Sequence, residues 1–275
     1  MLFEILSTIG ETASAALVVA TLSHALATTA TRRILLAALL TVWFASVVLL
    51  GATLALDYRV GIGAPGLGAA TAIPVALICF AFFTAPTVRA ALFAIPLPVL
   101  VAANAARVLG VLFLLLYASN QLPPPFAPAV GWGDIFVGLA APPVAWLAWR
   151  YGARARGLVW TWNLVGLVDL IDAVGLGATS SPGPLQIFTV SPDSSLMTTL
   201  PWILIPCFLV PSFLALHVAI FYRLSGASAS ALASRDRPAL NSPASVRKPI
   251  GDSTLGVRSL GFLRALYRTL EHLSA

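Results

Sequence analysis

The chain of 275 residues carries 16 Lys and Arg against 10 Asp and Glu, with 59% hydrophobic residues, 9% charged residues and a mean hydropathy of +0.93. A water-soluble domain has roughly a quarter of its residues charged, so this composition excludes a soluble globular protein and predicts a polytopic membrane protein of the all-α class. The net charge of +6 does not indicate nucleic acid, because the arginines gather at the ends of apolar segments, where they report topology.

At the N-terminus, "MLFEILSTIGETASAA" contains an ASA triplet at 13–15 of the kind found at cleavage sites. A signal peptide needs a basic n-region, and here the side-chain charges are Glu4 and Glu11, so none is expected. Spans of about 20 mostly apolar residues are predicted. They fall at 11–30, 34–56, 69–87, 98–120, 131–149, 157–178 and 201–223, seven in all, with Gly and Pro gathered in several of the connections. The first carries His24, the third is interrupted by Pro74, and the fourth carries Asn104 and Arg107. The fifth opens on "GWGD", the sixth holds Asn163, Asp169 and Asp172, and the seventh has Pro206 and Pro211 inside it together with His217. Interior prolines break the hydrogen-bond ladder, and broken helices beside buried charge are how several transporters build their binding sites. Cys79 and Cys207 lie in apolar segments and read as small hydrophobes. The single lysine, Lys248, lies in the tail, so no retinal-type Schiff base is expected within the spans.

Alternating the sides of the membrane puts Arg32, Arg33, Arg89, Arg150, Arg154, Arg156 and Arg223 on one side with the basic tail, and Arg59 alone on the other. Positive residues are retained in the cytoplasm, so the N-terminus is expected outside and the C-terminus inside a plasma membrane. The Arg-rich, Ala-rich and almost Lys-free usage suits a GC-rich bacterial genome, so the membrane expected is a bacterial inner membrane. Residues 1–223 form the predicted transmembrane domain, and 224–253, rich in Ser, Ala and Pro, read as a disordered linker. Residues 254–275 read as a cytoplasmic basic amphipathic helix, with Leu260, Leu263, Leu266, Tyr267 and Leu270 on one stripe and Arg258, Arg264 and Arg268 off its centre.

A charge at a helix centre costs about 2.5–3.5 kcal/mol on insertion scales, so charges at membrane depth need partners and usually a role. At 1.5 Å rise per residue, Arg107 lies roughly 14 Å and Asp169 roughly 18 Å from the cytoplasmic boundary. The matched depths predict an ion pair between them. Asp172, one turn outward on the same face, is expected to approach Asp134 on the neighbouring span, with Asn104 and Asn163 below. Two carboxylates sharing a site cannot both ionise cheaply, so they would share a proton. Alternatively, these polar groups merely pin helices together.

The stretch "GWGDIFVGLAAPP" contains a GxGD tetrad, Gly131 to Asp134, that resembles the second aspartate motif of presenilin-type and prepilin-peptidase-type intramembrane aspartyl proteases. That resemblance implies an upstream catalytic aspartate, for which Asp57 is the candidate; the "PAL" at 238–240 lies in the tail, where it could not serve. His24 and His217 fall at equal depth, as a bis-histidine haem or metal site would require. No further haem signature accompanies them, and no cofactor is expected.

The stretches "RVLGVLFLLLYASNQLPPPFAPAVGWGDIFVG" and "WNLVGLVDLIDA" together look like bacterial multi-spanning membrane proteins of unassigned function, a likeness that implies the fold class and no activity. The leading expectation is small-solute or proton-coupled binding or transport, with Arg107, Asp169, Asp172, Asp134, Asn104 and Asn163 as the binding residues. The expected partners are the lipid bilayer and a small molecule or a proton, and not nucleic acid. The alternatives are an intramembrane enzyme using Asp134 and Asp172 as an acid/base pair, and a structural or accessory membrane subunit without a site.

Overall fold

The computed structural model describes residues 8–17, 19, 20, 30–86, 88 and 95–235. Among these residues the secondary structure is entirely helical, without a strand. Residues 8–17 form a helical stretch, followed by α1 (Ala30–Ala52) and α2 (Ala64–Thr84). Then come α3 (Leu97–Ala102), a 3-10 segment (Ala103–Gly110) and α4 (Val111–Ala118), which together make one broken helix. After it come α5 (Phe126–Tyr151), a 3-10 turn (Gly152–Ala155) and α6 (Arg156–Thr179). A short 3-10 helix (Ser194–Thr198), a π turn (Ile205–Leu209) and α7 (Val210–Arg235) complete the fold.

Among the described residues five stretches are long and apolar enough to cross a membrane: Ile34–Ala52, Ala64–Thr84, Leu97–Ala118, Phe126–Thr179 and Ile205–Gly226. The fourth, 54 residues long, holds both α5 and α6. At 1.5 Å per residue the 26 residues of α5 reach about 39 Å, enough for one crossing. The first expected span, 11–30, lies partly outside the described residues, as does the whole tail segment 254–275. Large apolar side chains face outward along the helices, among them Leu39 on α1, Phe80 on α2, Phe136 on α5 and Ile171 on α6. Apolar surface of that extent would drive association in water and matches hydrocarbon as the surrounding solvent.

The two broken stretches are the best buried. Inside the protein lie 61% of the apolar window of Ile205–Gly226 and 50% of that of Leu97–Ala118, against 17% and 11% for Ile34–Ala52 and Ala64–Thr84. Phe208 of the π turn is fully buried, with its ring 4.6 Å from Trp43 and 5.4 Å from Phe44. The expected seventh span, 201–223, therefore begins differently from a kinked α-helix. Residues 201–203 wind in as turns, and the wider π turn contains Pro206 and ends two residues before Pro211; neither proline has an N–H to give to an α ladder. The helix also continues to Arg235, into the segment whose composition reads as linker.

A tight turn folds α5 back on α6. Gly152 sits there at φ +52°, in the left-handed region that side chains disfavour, while a Cβ at this position would meet nothing within 4 Å. Around this turn stand exposed Trp146, Trp149, Tyr151 and Trp160 together with Arg150 and Arg154, the aromatic and basic belt expected where a helix leaves a bilayer. In the opposite sense, the 53–63 connection carries Arg59. Its Nε donates to the Tyr58 hydroxyl at 2.8 Å, and this contact raises the pKa of the guanidinium.

The 3-10 segment packs on α5 at backbone distance, which small residues permit. A Cβ on Gly138 would collide with the backbone of Val108 and lie 2.8 Å from the Arg107 carbonyl carbon; one on Gly110 would strike Asp134. Backbone atoms cannot swing aside. Gly138→Ala is therefore expected to destabilise the fold by about 1–3 kcal/mol, the cost of overpacking. Gly157→Ala, which meets nothing within 4 Å, is the near-neutral control. Thermal unfolding in detergent checks the pair; equal midpoints would contradict the close packing of the 3-10 segment on α5.

Candidate functional site

In a 3-10 helix residues three apart eclipse one another, and this aligns Asn104 with Arg107 on one face of the segment. Both are buried, Arg107 at 2% exposure. On α6, Asn163, Gly166 and Asp169 follow at intervals of three and share a face. Asp134 comes from α5 and His217 from α7. Four elements thus deliver polar groups to one point inside an apolar core.

Arg107 is the hub. Its Nε donates to Asp134 Oδ1 at 2.7 Å, and Nη2 donates to Asp169 Oδ2. Nη1 donates to the Gly166 carbonyl at 3.1 Å and faces His217 Nε2 at 3.2 Å. A guanidinium has five donors and no acceptor, so His217 Nε2 is the accepting nitrogen and the ring proton lies on Nδ1. That proton points at Asn163 Oδ1, 2.7 Å away, and Asn163 Nδ2 donates to the His217 backbone carbonyl at 3.0 Å. The chain of donors is self-consistent from Arg107 through His217 to Asn163. Phe213 lies under the guanidinium, 6.0 Å from ring centre to Cζ.

Glycines make the approach possible. A Cβ on Gly166 would lie 2.5 Å from the His217 ring, and one on Gly133 would occupy the place of the Asp169 carboxylate. The Gly133 of the GxGD tetrad therefore has a packing role on the sixth expected span. Trp162 closes the other side, donating Nε1 to the Val137 carbonyl at 3.3 Å with its ring 5.7 Å from His217.

The expected pairing of Arg107 with Asp169 is present. The expected approach of Asp134 to Asp172 is not. Asp134 turns to Arg107, while Asp172 is exposed on α6 and has no ion pair or hydrogen bond among the described residues. Depth along a helix does not fix the direction in which a side chain leaves it, and Asp172 leaves on the outer face. The acid/base pair of Asp134 and Asp172 is thus not assembled. Asp57 caps its own loop, accepting from the backbone of Arg59 at 2.7 Å and of Val60 at 3.3 Å, and no contact joins it to Asp134 among the described residues. Asn104 is buried near the hub but donates to the Leu100 carbonyl at 3.0 Å, leaving its Oδ1 without a partner.

His24 lies outside the described residues. Both ring nitrogens of His217 are engaged, one by Asn163 and the other by a cation. Among the described residues no group of three or more His, Cys, Asp or Glu side chains is placed to hold a metal ion. One residue of the site is not visible to depth arguments. Drawing the first span from residue 11 puts Glu11 at a boundary, yet it is 1% exposed and lines a cavity of about 40 Å³ beside Arg107 and Asp134. An acidic residue amid the apolar run 2–20 is the signal that marks it.

Removing one partner of a buried pair typically costs about 3–5 kcal/mol, whereas replacing the whole set can be near neutral. Arg107→Ala should destabilise by that amount, since it leaves two carboxylates facing each other. The triple variant Arg107→Met, Asp134→Asn, Asp169→Asn should recover most of the loss. Thermal melts of the detergent-purified proteins measure both; a harmless Arg107→Ala would show that the hub does not organise these helices.

No curated protein and no solved structure matches the chain. A family model for a domain of unknown function (DUF8737) matches residues 64–225, more than half the chain. The matched range begins at α2 and includes Arg107, Asp134, Asn163, Asp169 and His217 but not Glu11. The chain belongs to the DUF8737 family of domains of unknown function.

Proposed function

We propose that this is a multi-pass plasma-membrane protein, of bacterial inner-membrane type, that binds or moves a small solute coupled to protons through the Arg107 centre. The observation that carries this reading is one buried guanidinium shared between carboxylates on two different helices. Formal charges give Arg107 +1 against Asp134 and Asp169 at −2, so full ionisation leaves an excess negative charge in a low-dielectric interior. A proton or a cationic solute removes it. Arg107 sits on a 3-10 segment, and a π turn lines the adjoining cavity through Ile205 and Leu209. Departures from α geometry inside helices often mark hinges and functional sites, and transporters place them next to buried charge.

The topology proposed is seven crossings with the N-terminus outside, and with the linker that follows α7, as far as residue 253, and the amphipathic helix at 254–275 on the cytoplasmic side. It is supported by the arginines and tryptophans clustered at the Gly152 turn. A cysteine placed at Arg154 should resist a membrane-impermeant reagent added to intact cells; labelling from outside would reverse the orientation.

Transport itself is tested with the purified protein in liposomes enclosing a pH-sensitive dye, under an imposed membrane potential. The internal pH should change faster than in empty liposomes. Arg107→Gln should slow it by at least about tenfold, which corresponds to about 1.4 kcal/mol on the barrier. Small amines, alcohols and carboxylic acids added outside identify the co-substrate class by acceleration. A rate equal to that of empty liposomes under all these conditions would sink the reading. A structural role would then stand, favoured by the four donors that Arg107 already satisfies and by the small volume of the cavity.

A further inference from the structure

Glu11 is the buried side chain that the Arg107 hub leaves over. Neither of its carboxylate oxygens has a hydrogen-bond partner, and the side chain is 1% exposed. Buried polar groups are nearly always hydrogen-bonded, and an isolated buried carboxylate is costly. The cavity it lines, about 40 Å³, has two other charged walls, Arg107 from the 3-10 segment and Asp134 from α5. From α4, α6, the π turn and α7 only apolar side chains face it, such as Leu112, Leu170, Ile205 and Phe213. A cavity needs about 10–15 Å³ to hold a water molecule, so the space has room for water between Glu11 and Asp134.

A metal ion fits these walls poorly, because hard cations take about six or more oxygen ligands, and the acidic side chains offered here are Glu11 and Asp134. A proton needs one carboxylate oxygen. A second cavity, about 780 Å³, is lined by Thr8, Thr12, Gln121, Thr199, Trp202 and Leu204 among others. Thr12 and Leu204 are the chain neighbours of Glu11 and Ile205, so the same two segments line both spaces.

We propose that Glu11 is the proton-binding group of the Arg107 centre, loaded from the larger cavity past Thr12 and Leu204 and exchanging its proton with Asp134 across the smaller one. The inference rests on the proton-coupled reading above. In the transfer, a hydronium ion protonates the Glu11 carboxylate. The proton then passes through water to Asp134, whose neutral form leaves Asp169 as the one carboxylate paired with the guanidinium. No bond other than those to the proton changes.

Infrared difference spectroscopy of the full-length protein in lipid nanodiscs, titrated across roughly pH 4–9, a window bracketing the shifts burial can produce, tests this. The chain has three glutamates, Glu4, Glu11 and Glu271, which makes isotope assignment direct. The expected result is a protonated-carboxyl stretch that shifts with ¹³C-glutamate and not with ¹³C-aspartate, is lost in Glu11→Gln, and is unchanged when sodium replaces choline. Should Glu11→Gln fail to fold, the labelled native protein still decides between the acids. A band that follows ¹³C-aspartate and survives in Glu11→Gln overturns the assignment to Glu11 while leaving proton coupling intact. A band abolished by sodium at constant pH overturns the proton in favour of a metal ion. The absence of any protonated-carboxyl band in the native protein overturns both this inference and the proton-coupled function.

Discussion

A guanidinium removed from water must be surrounded by acceptors before the chain around it can pack. Arg107 is such a group, and its acceptors come from three other helices: Asp134 on α5, Asp169 and the Gly166 carbonyl on α6, and His217 on α7. Each contact fixes a rotation as well as a distance. Turning α6 by one residue would carry Asn163, Gly166 and Asp169 off the face that meets Arg107. The apolar side chains around the site are interchangeable in a way these are not, because hydrocarbon contacts tolerate shifts that a charged hydrogen bond does not.

The backbone is adapted to this demand. An α-helix would offset residues 104 and 107 by about 60°, whereas 3-10 winding eclipses them. Opposite, the π turn that contains Pro206 carries Phe208 in the core, where it meets Trp43 and Phe44. The elements with the poorest local hydrogen-bond geometry are thus those most enclosed by the rest of the protein. Surrounding contacts hold a conformation that local preference alone would not select.

Much of this was legible in the sequence. Composition and segment length give an all-helical fold with helices long enough to cross a membrane, since so apolar a chain has few other solutions. The partnership of Arg107 with Asp169 follows from matched depth along the helices and from the scarcity of internal cations. What depth could not supply is azimuth. Asp172 lies one turn from Asp169, yet points outward, and Asp134 comes to Arg107 instead. His217 was read by its depth relative to His24, but its neighbours are Asn163 and Arg107 on other helices. Glu11 escaped because a boundary error of a few residues turns a buried acid into an interfacial one. The 3-10 segment escaped because nothing in the run "VAANAARVLG" opposes α geometry; the packing of Gly138 and Gly110 decides it, whereas Pro206 and Pro211 did mark the break in the last span without giving its π form.

The division of rigidity follows from the same contacts. Asp134 and Asp169 stand on the α5–α6 hairpin, whose helices are long, closely packed and joined by the short turn at Gly152. Their separation is therefore fixed by a stiff unit. Arg107 stands on a segment whose winding is not α, with a space large enough for water on one side and Gly138 allowing backbone contact on the other. Two anions on one hairpin face a cation on a segment of different winding, so neutralising either anion unbalances the ion pairs on the cation. A ladder of ordinary helix-pinning hydrogen bonds lacks that asymmetry, since its donors and acceptors are held equally on both sides. Because His217 also borders the guanidinium, any movement of Arg107 is transmitted to α7 through the ring and to Asn163 beyond it. The proposed coupling between proton and solute thus needs no element beyond the four that already meet at Arg107.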